Sequence, residues 1–292
     1  MPSLKEVRNK IISVGSTMQI TSAMKMVSAA KLKRAQDAVV QMRPYANKLR
    51  EILQNVSVNA DPNSNPYSKD NHSNNVLIIA VSSNRGLAGA FNANVAKKVN
   101  LLIKEEFKGK NITVLPVGKK AHDAFKKTDY LITGMDLPHH TSKVFNKLSY
   151  SEAAPLMEDV IKTFLNKEFD KVVIVYNQFR NAAVQIPVDE QLLPVVTSGN
   201  EKKSVPTNYI FEPEEEQIIN DLIPHMLKTQ FYKALLDSFA SEHGARMTAM
   251  HKATDNAKAM QNDLKIMYNK ARQASITKEI LEIVGGAEAL NG

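Results

Sequence analysis

The stretch 250–274, MHKATDNAKAMQNDLKIMYNKARQA, places Met250, Ala253, Ala257, Met260, Leu264, Met267, Ala271 and Ala274 at steps that alternate three and four. That spacing predicts a helix with one apolar stripe, the seam of a coiled coil. At heptad spacing Met260 and Met267 read as core. No proline occurs from His225 to Val284, and sixty helical residues would extend about 90 Å, roughly three times the width of a small domain. Most of such a helix has to project and bury its stripe on a second helix. Four alanines in the stripe let the two axes approach closely and make a thin rod. Pro213 with Glu214, Glu215 and Glu216 is a well-formed helix start, because acidic side chains complement the N-terminal dipole. Pro224 is expected to kink the helix, and Gly285-Gly286 to stop it.

The partner is found at the other end of the chain. Residues 1–57 read as one helix, opened by Ser3 and Glu6 at capping-box spacing. Leu4, Val7, Ile11, Val14 and Met18 form a stripe that resumes at Leu32, Ala35, Val39 and Met42. Between these runs it turns polar at Thr21, Lys25 and Ser28, while Ile20, Ala23, Val27 and Ala30 form a neighbouring stripe, so the buried face is expected to rotate. Pro44 is expected to bend the helix without ending it.

Residues 58–75 are rich in Asn, Ser and Pro and read as a linker. From there to residue 211 the pattern changes to short β-rich runs: VLIIAV (76–81), NITVLPVG (111–118), YLIT (130–133), KVVIVYNQF (171–179) and AAVQIPV (182–188). Helical stretches at about 89–107, 118–127 and 149–168 alternate with them. This predicts an α/β layer with a largely parallel sheet, its last two strands forming a hairpin on one edge. The organisation read from the sequence is therefore a coiled-coil helix (1–57), a linker (58–75), an inserted Rossmann-like α/β domain (76–211) and a second coiled-coil helix (212–292). Together the terminal helices form a long antiparallel two-helix coiled coil.

Composition sets the outer bounds. Of 292 residues, 43% are hydrophobic but only 6% aromatic, with no Trp and 12 Met, which disfavours an all-β barrel or sandwich. The absence of Cys excludes disulfides, thiolate zinc sites and cysteine nucleophiles. No apolar run reaches the length of a membrane span, and no secretory leader is evident, so the chain is expected to be soluble. The net charge of +8 is concentrated: residues 1–57 carry ten Lys and Arg against three acids, and 243–278 carry seven against two. An acidic partner is implied.

Motifs for chemistry are weak. SSNRGLAGAFN (82–92) follows a strand and opens a helix, yet it lacks the third Gly of a dinucleotide turn and the Lys of a P-loop. It reads as a tight turn without ligand. The His139-His140 pair stands outside any zinc-spaced ligand set, no GxSxG is present, and no catalytic, cofactor or metal residue is assigned. Met24 and Met26 flank Lys25 where the stripe changes, and heptad position does not explain them. Glu242 and Arg246, four apart, read as a surface ion pair worth about 0.3–0.5 kcal/mol. Two alternatives stand beside these readings: a basic coiled coil that binds nucleic acid through phosphates, and an α/β enzyme that binds a nucleotide at 82–92. Against the first, the basic helices lack interleaved aromatics.

Two long terminal segments, QITSAMKMVSAAKLKRAQ (19–36) and YNKARQASITKEILEIVGGAEAL (268–290), together with SSNRGLAGAFN and QLLP (191–194), closely resemble the gamma subunit family of F-type ATP synthases. The resemblance covers nearly the whole chain. It implies a non-catalytic rotor shaft whose terminal helices pass through a ring of three alpha and three beta subunits. The α/β domain then sits below, with the epsilon subunit on a proton-driven membrane c-ring. Carried over by motif, Arg272 and Gln273 contact a beta-subunit loop, Lys25 and Met24 lie near another beta contact, and Glu242 and Arg246 keep the shaft helix in shape. Tyr209 and Phe211 contact epsilon or the ring, and the apolar tip from Ile280 to Leu290 turns in a hydrophobic collar. No cofactor and no nucleic acid are implied. The plastid form carries a regulatory Cys pair that this chain lacks, and no Arg-rich transit segment precedes Met1. Together these imply a bacterial enzyme, peripheral on the cytoplasmic side of the cell inner membrane.

Overall fold

The computed structural model describes residues 3–57, 66–68, 73–132, Leu137, 141–195 and 215–291. Four strands form one sheet in the order β2-β1-β3-β4: β1 (Asn75–Val81), β2 (Asn111–Val117), β3 (Lys171–Phe179) and β4 (Gln185–Leu193). β1 pairs in parallel with β2 and β3, and β3 pairs antiparallel with β4. The largely parallel sheet and its edge hairpin are as the β-rich runs predict. Of YLIT, residues 130–132 are described, and they form no strand but one parallel bridge, between Val114 and Leu131.

Every residue of β1 from Val76 to Val81 is buried, because alternate side chains enter two different cores. Leu77, Ile79 and Val81 join one with α4 (Tyr150–Leu165) and the start of α5 (Glu215–Asn291). Val76, Ile78 and Ala80 join the other with α2 (Phe91–Glu105) and α3 (Lys119–Phe125). Covering both faces is what a near-continuous apolar strand requires. Within the Asn-rich linker, Tyr67 is buried in the first core, and its carbonyl accepts from Val195 N at 2.8 Å. A short 3₁₀ helix (Thr141–Asn146) precedes α4.

The terminal helices are α1 (Leu4–Ser57) and α5. Ser3 Oγ accepts from Glu6 N at 3.2 Å, while the Glu6 carboxylate turns outward to Lys10 at 2.9 Å. Both Pro44 and Pro224 are accommodated inside continuous helices. Gly285-Gly286 does not stop α5, which runs on to Asn291. Glycine in a helix interior costs only about 1 kcal/mol relative to alanine, and Ala287, Glu288, Ala289 and Leu290 are strong helix formers.

The chain divides into two compact units, 1–28 with 247–292, and 29–246. In the first, Thr21 and Thr254 share a hydroxyl hydrogen bond of 2.8 Å, and a Cβ on Gly15 would lie 3.0 Å from Gln261 Nε2. The helices are thus antiparallel. Two expectations about the seam fail here. Met260 and Met267 are exposed, at 55% and 48%, and the inward column passes through Met250, Thr254, Ala257, Gln261, Leu264 and Tyr268. The buried face of α1 does not rotate either: Thr21 and Ser28 are buried, while Ile20 and Val27 are exposed. Both misreadings have one cause. The polar seam residues satisfy themselves locally, Thr21 on Met18 O, Ser28 on Met24 O and Thr254 on Met250 O, so their burial leaves no unmet hydrogen bond.

Candidate functional site

Open parallel sheets bind ligands in the crevice beyond the carboxyl ends of strands, where the strand order reverses. Here that crevice lies past β1 and β3, and α5 fills it. Ser241 Oγ donates to Asn177 O at 2.9 Å, and Asn177 Nδ2 donates to Phe91 O at 3.0 Å. Gly244 lies so close to the β3–β4 hairpin that an added Cβ would meet Ala182 Cα at 3.3 Å. Arg246 Nη2 donates to the carbonyls of Arg85 and Gly86, at 3.1 and 3.3 Å. Carbonyls aimed at a guanidinium are the opposite of a phosphate cradle, which needs N–H groups. The hydroxyls and amides of the turn are also engaged internally: Ser83 with Asn92 and Arg85 O, Ser82 with Ala121 N, and Asn84 with Lys119 N and Ser142 O.

Arg246 Nη1 meets Glu242 Oε1 at 2.5 Å, with the two side chains only 8% and 10% exposed. The surface pair expected from the spacing is therefore a buried one. Burial lifts the Glu242 carboxyl above its ordinary value, against the pull of Arg246 and, further off, Lys31 and Arg85. His243 sits beside them, its ring edge-on to Phe239 at 4.5 Å. Burial, reinforced by Arg246 and Lys31, lowers its pKa to about 3, so the ring is neutral at physiological pH. Nothing in the spacing singled out His243, and the backbone acceptors of Arg85 and Gly86 carry no sequence signal.

The remaining site residues do not converge. Met24 and Lys25 are half-buried on α1, while Arg272 and Gln273 are exposed on α5. The register set by Thr21–Thr254 brings Lys25 level with Met250, about 30 Å from Arg272 at 1.5 Å per residue. The two groups therefore lie at separate places on one helix pair. Tyr209, Phe211 and His139-His140 lie outside the described residues. Among the described residues no group of three or more His, Asp or Glu is placed to hold a metal ion, and no helix is long and apolar enough to cross a membrane.

A family model described as ATP synthase matches residues 3–290. The chain is 54% identical to the ATP synthase gamma chain of Christiangramia forsetii and 53% identical to that of Flavobacterium johnsoniae, each over the full length of both chains. The chain belongs to the ATP synthase gamma chain family. Its function is that of the central-stalk rotor subunit of an F-type ATP synthase, a non-catalytic part of the complex. Among solved structures, a chain of the Tetrahymena thermophila mitochondrial ATP synthase central stalk and c-ring is 26% identical with a TM-score of 0.59, covering 80% of this chain and 99% of that one. A chain of the Euglena gracilis mitochondrial enzyme shares the fold with a TM-score of 0.69 at 23% identity, covering 98% and 94%. In this gamma chain α5 itself occupies the sheet crevice.

Proposed function

We propose that the antiparallel helix pair turns inside a ring of three alpha and three beta subunits, and that the α/β domain meets the epsilon subunit and a membrane c-ring. Rotation of that ring, driven by ion flow, is passed to the beta subunits, whose nucleotide sites then change affinity in turn. The reading is carried by the full-length identity to bacterial gamma chains. It is supported by the outer faces of the helix pair, where Arg8, Lys252, Lys258, Lys265, Lys270 and Arg272 are exposed, have no ion pair among the described residues and suit acidic loops.

In this reading Arg272 and Gln273 bond to a beta loop, and Met24 with Lys25 form a second beta contact about 30 Å away. Tyr209 and Phe211 serve the epsilon or ring contact on resemblance alone. The complex sits on the cytoplasmic side of a bacterial inner membrane and holds this subunit there peripherally. Arg272→Ala combined with Gln273→Ala in the assembled enzyme is expected to lower ATP-driven proton pumping. Unchanged pumping together with an unchanged ATPase rate would overturn the assignment.

A further inference from the structure

Each terminal helix carries one internal proline within the 29–246 unit, Pro44 in α1 and Pro224 in α5. Each removes the helical hydrogen bond to the carbonyl four residues back, at Val40 and Asn220, and crowds that carbonyl with its ring. The residues that follow them, Tyr45 and His225, touch: Tyr45 Oη lies 2.5 Å from His225 Nε2. The two weakened turns are therefore at one level. His225 Nδ1 is 3.3 Å from Tyr150 Oη on α4, so one imidazole ties three helices. Tyr45 packs edge-on and Tyr150 tilted against it, and Tyr232 packs edge-on against Tyr150, with ring centroids 5.9–6.1 Å apart. Beside this cluster runs an open groove of about 460 Å³, lined by Gln41 and Met42 of α1 and Thr229 and Leu236 of α5. The packing is therefore incomplete at the same level where both backbones have lost a hydrogen bond.

We propose that this level is a flexure: α1 and α5 bend here together, and the Tyr45–His225–Tyr150 relay latches them to the first turn of α4. A helix kinks where its hydrogen-bond ladder is interrupted, and two helices in contact bend jointly only if the interruptions coincide, as these do. Closely packed neighbours would resist the motion, and the groove removes that resistance on one side. In a rotating subunit the flexure is a compliant point, a use that rests on the rotor reading; the flexure itself does not.

Hydrogen exchange on the full-length chain tests it. Amides of 41–48 and 221–228 are expected to exchange at least about tenfold faster than those of 30–38 and 232–240, the scale of one missing hydrogen bond. Tyr45→Phe keeps the ring and removes the latch, and is expected to speed exchange at this level by a further factor of about three to ten while leaving β1 and β3 unchanged. Pro44→Ala restores the missing bond and is expected to slow it. Uniform exchange through the level, or indifference to both substitutions, would overturn the proposal. Slower exchange at 221–228 in Pro44→Ala, on the helix that was not altered, would show the joint bending directly.

Discussion

At the scale of single residues, His243 sets a pH dependence that can be worked out in sign. Its folded pKa of about 3 lies below the ordinary 6.5, through burial and the neighbouring cations Arg246 and Lys31. Between these values the unfolded chain binds a proton that the folded chain does not, so stability is lost as pH falls through that window. The slope reaches about 1.4 kcal/mol per pH unit. Glu242 acts in the opposite sense, since its raised folded pKa makes the folded chain the better proton binder just above the ordinary carboxylate range. His243→Phe keeps an aromatic ring against Phe239 and removes a buried Nε2 that has no hydrogen-bond partner among the described residues. Calorimetry at pH 5 and pH 8 is expected to show a smaller loss of melting temperature on acidification for this variant than for the natural chain. An equal loss would mean that His243 is not the group responsible.

At the scale of elements, strands and helix interiors were legible and the finer placements were not. β1, β2 and β3 follow directly from β-branched runs, because a strand buried on both faces has little choice of residue. Helix ends depend on small differences. Gly285 and Gly286 lower helix propensity without forbidding it, and α5 continues through them. The seam failed for another reason: the columns through Met260 and Met267 and through Gln261 and Tyr268 have the same period, so periodicity alone does not choose between them. Side-chain hydroxyls that bond their own helix made the polar choice cheap, and the opposite side of the pair presents Gly15 and Thr21. Of the candidate site, Glu242 and Arg246 were found by spacing, but their burial and carbonyl partners depend on a contact between distant parts of the chain. The helix end offers a direct check. Apart from the adjoining turns of α5 itself, no atom of the described residues lies within 4 Å of a Cβ added at either glycine, so Gly285→Ala with Gly286→Ala is expected to stabilise the last turns of α5 by about 1–2 kcal/mol. Slower amide exchange from Glu282 to Ala289 would register this, and faster exchange would show that a non-helical end is preferred.

At the scale of the whole molecule, the charge of +8 includes cations on helix faces that have no ion pair among the described residues. Lys258, Lys265 and Lys270 are exposed, at steps of seven and five along α5, and none has an ion pair among the described residues. They contribute little to the stability of the isolated chain, because exposed charges are well solvated. Their effect is therefore expected in assembly, where complementary fields raise association rates more than they raise final affinity. Lys258→Gln, Lys265→Gln and Lys270→Gln together are expected to slow association with alpha and beta subunits by about tenfold at low salt. The difference should largely vanish near 0.5 M salt, where the screening length falls to about 4 Å. The melting temperature of the chain should stay unchanged. Reconstitution followed in time at both salt concentrations measures this; equal rates at low salt would remove the electrostatic argument and leave shape and apolar contact, at exposed residues such as Met260 and Met267, to guide the helix pair into the proposed ring.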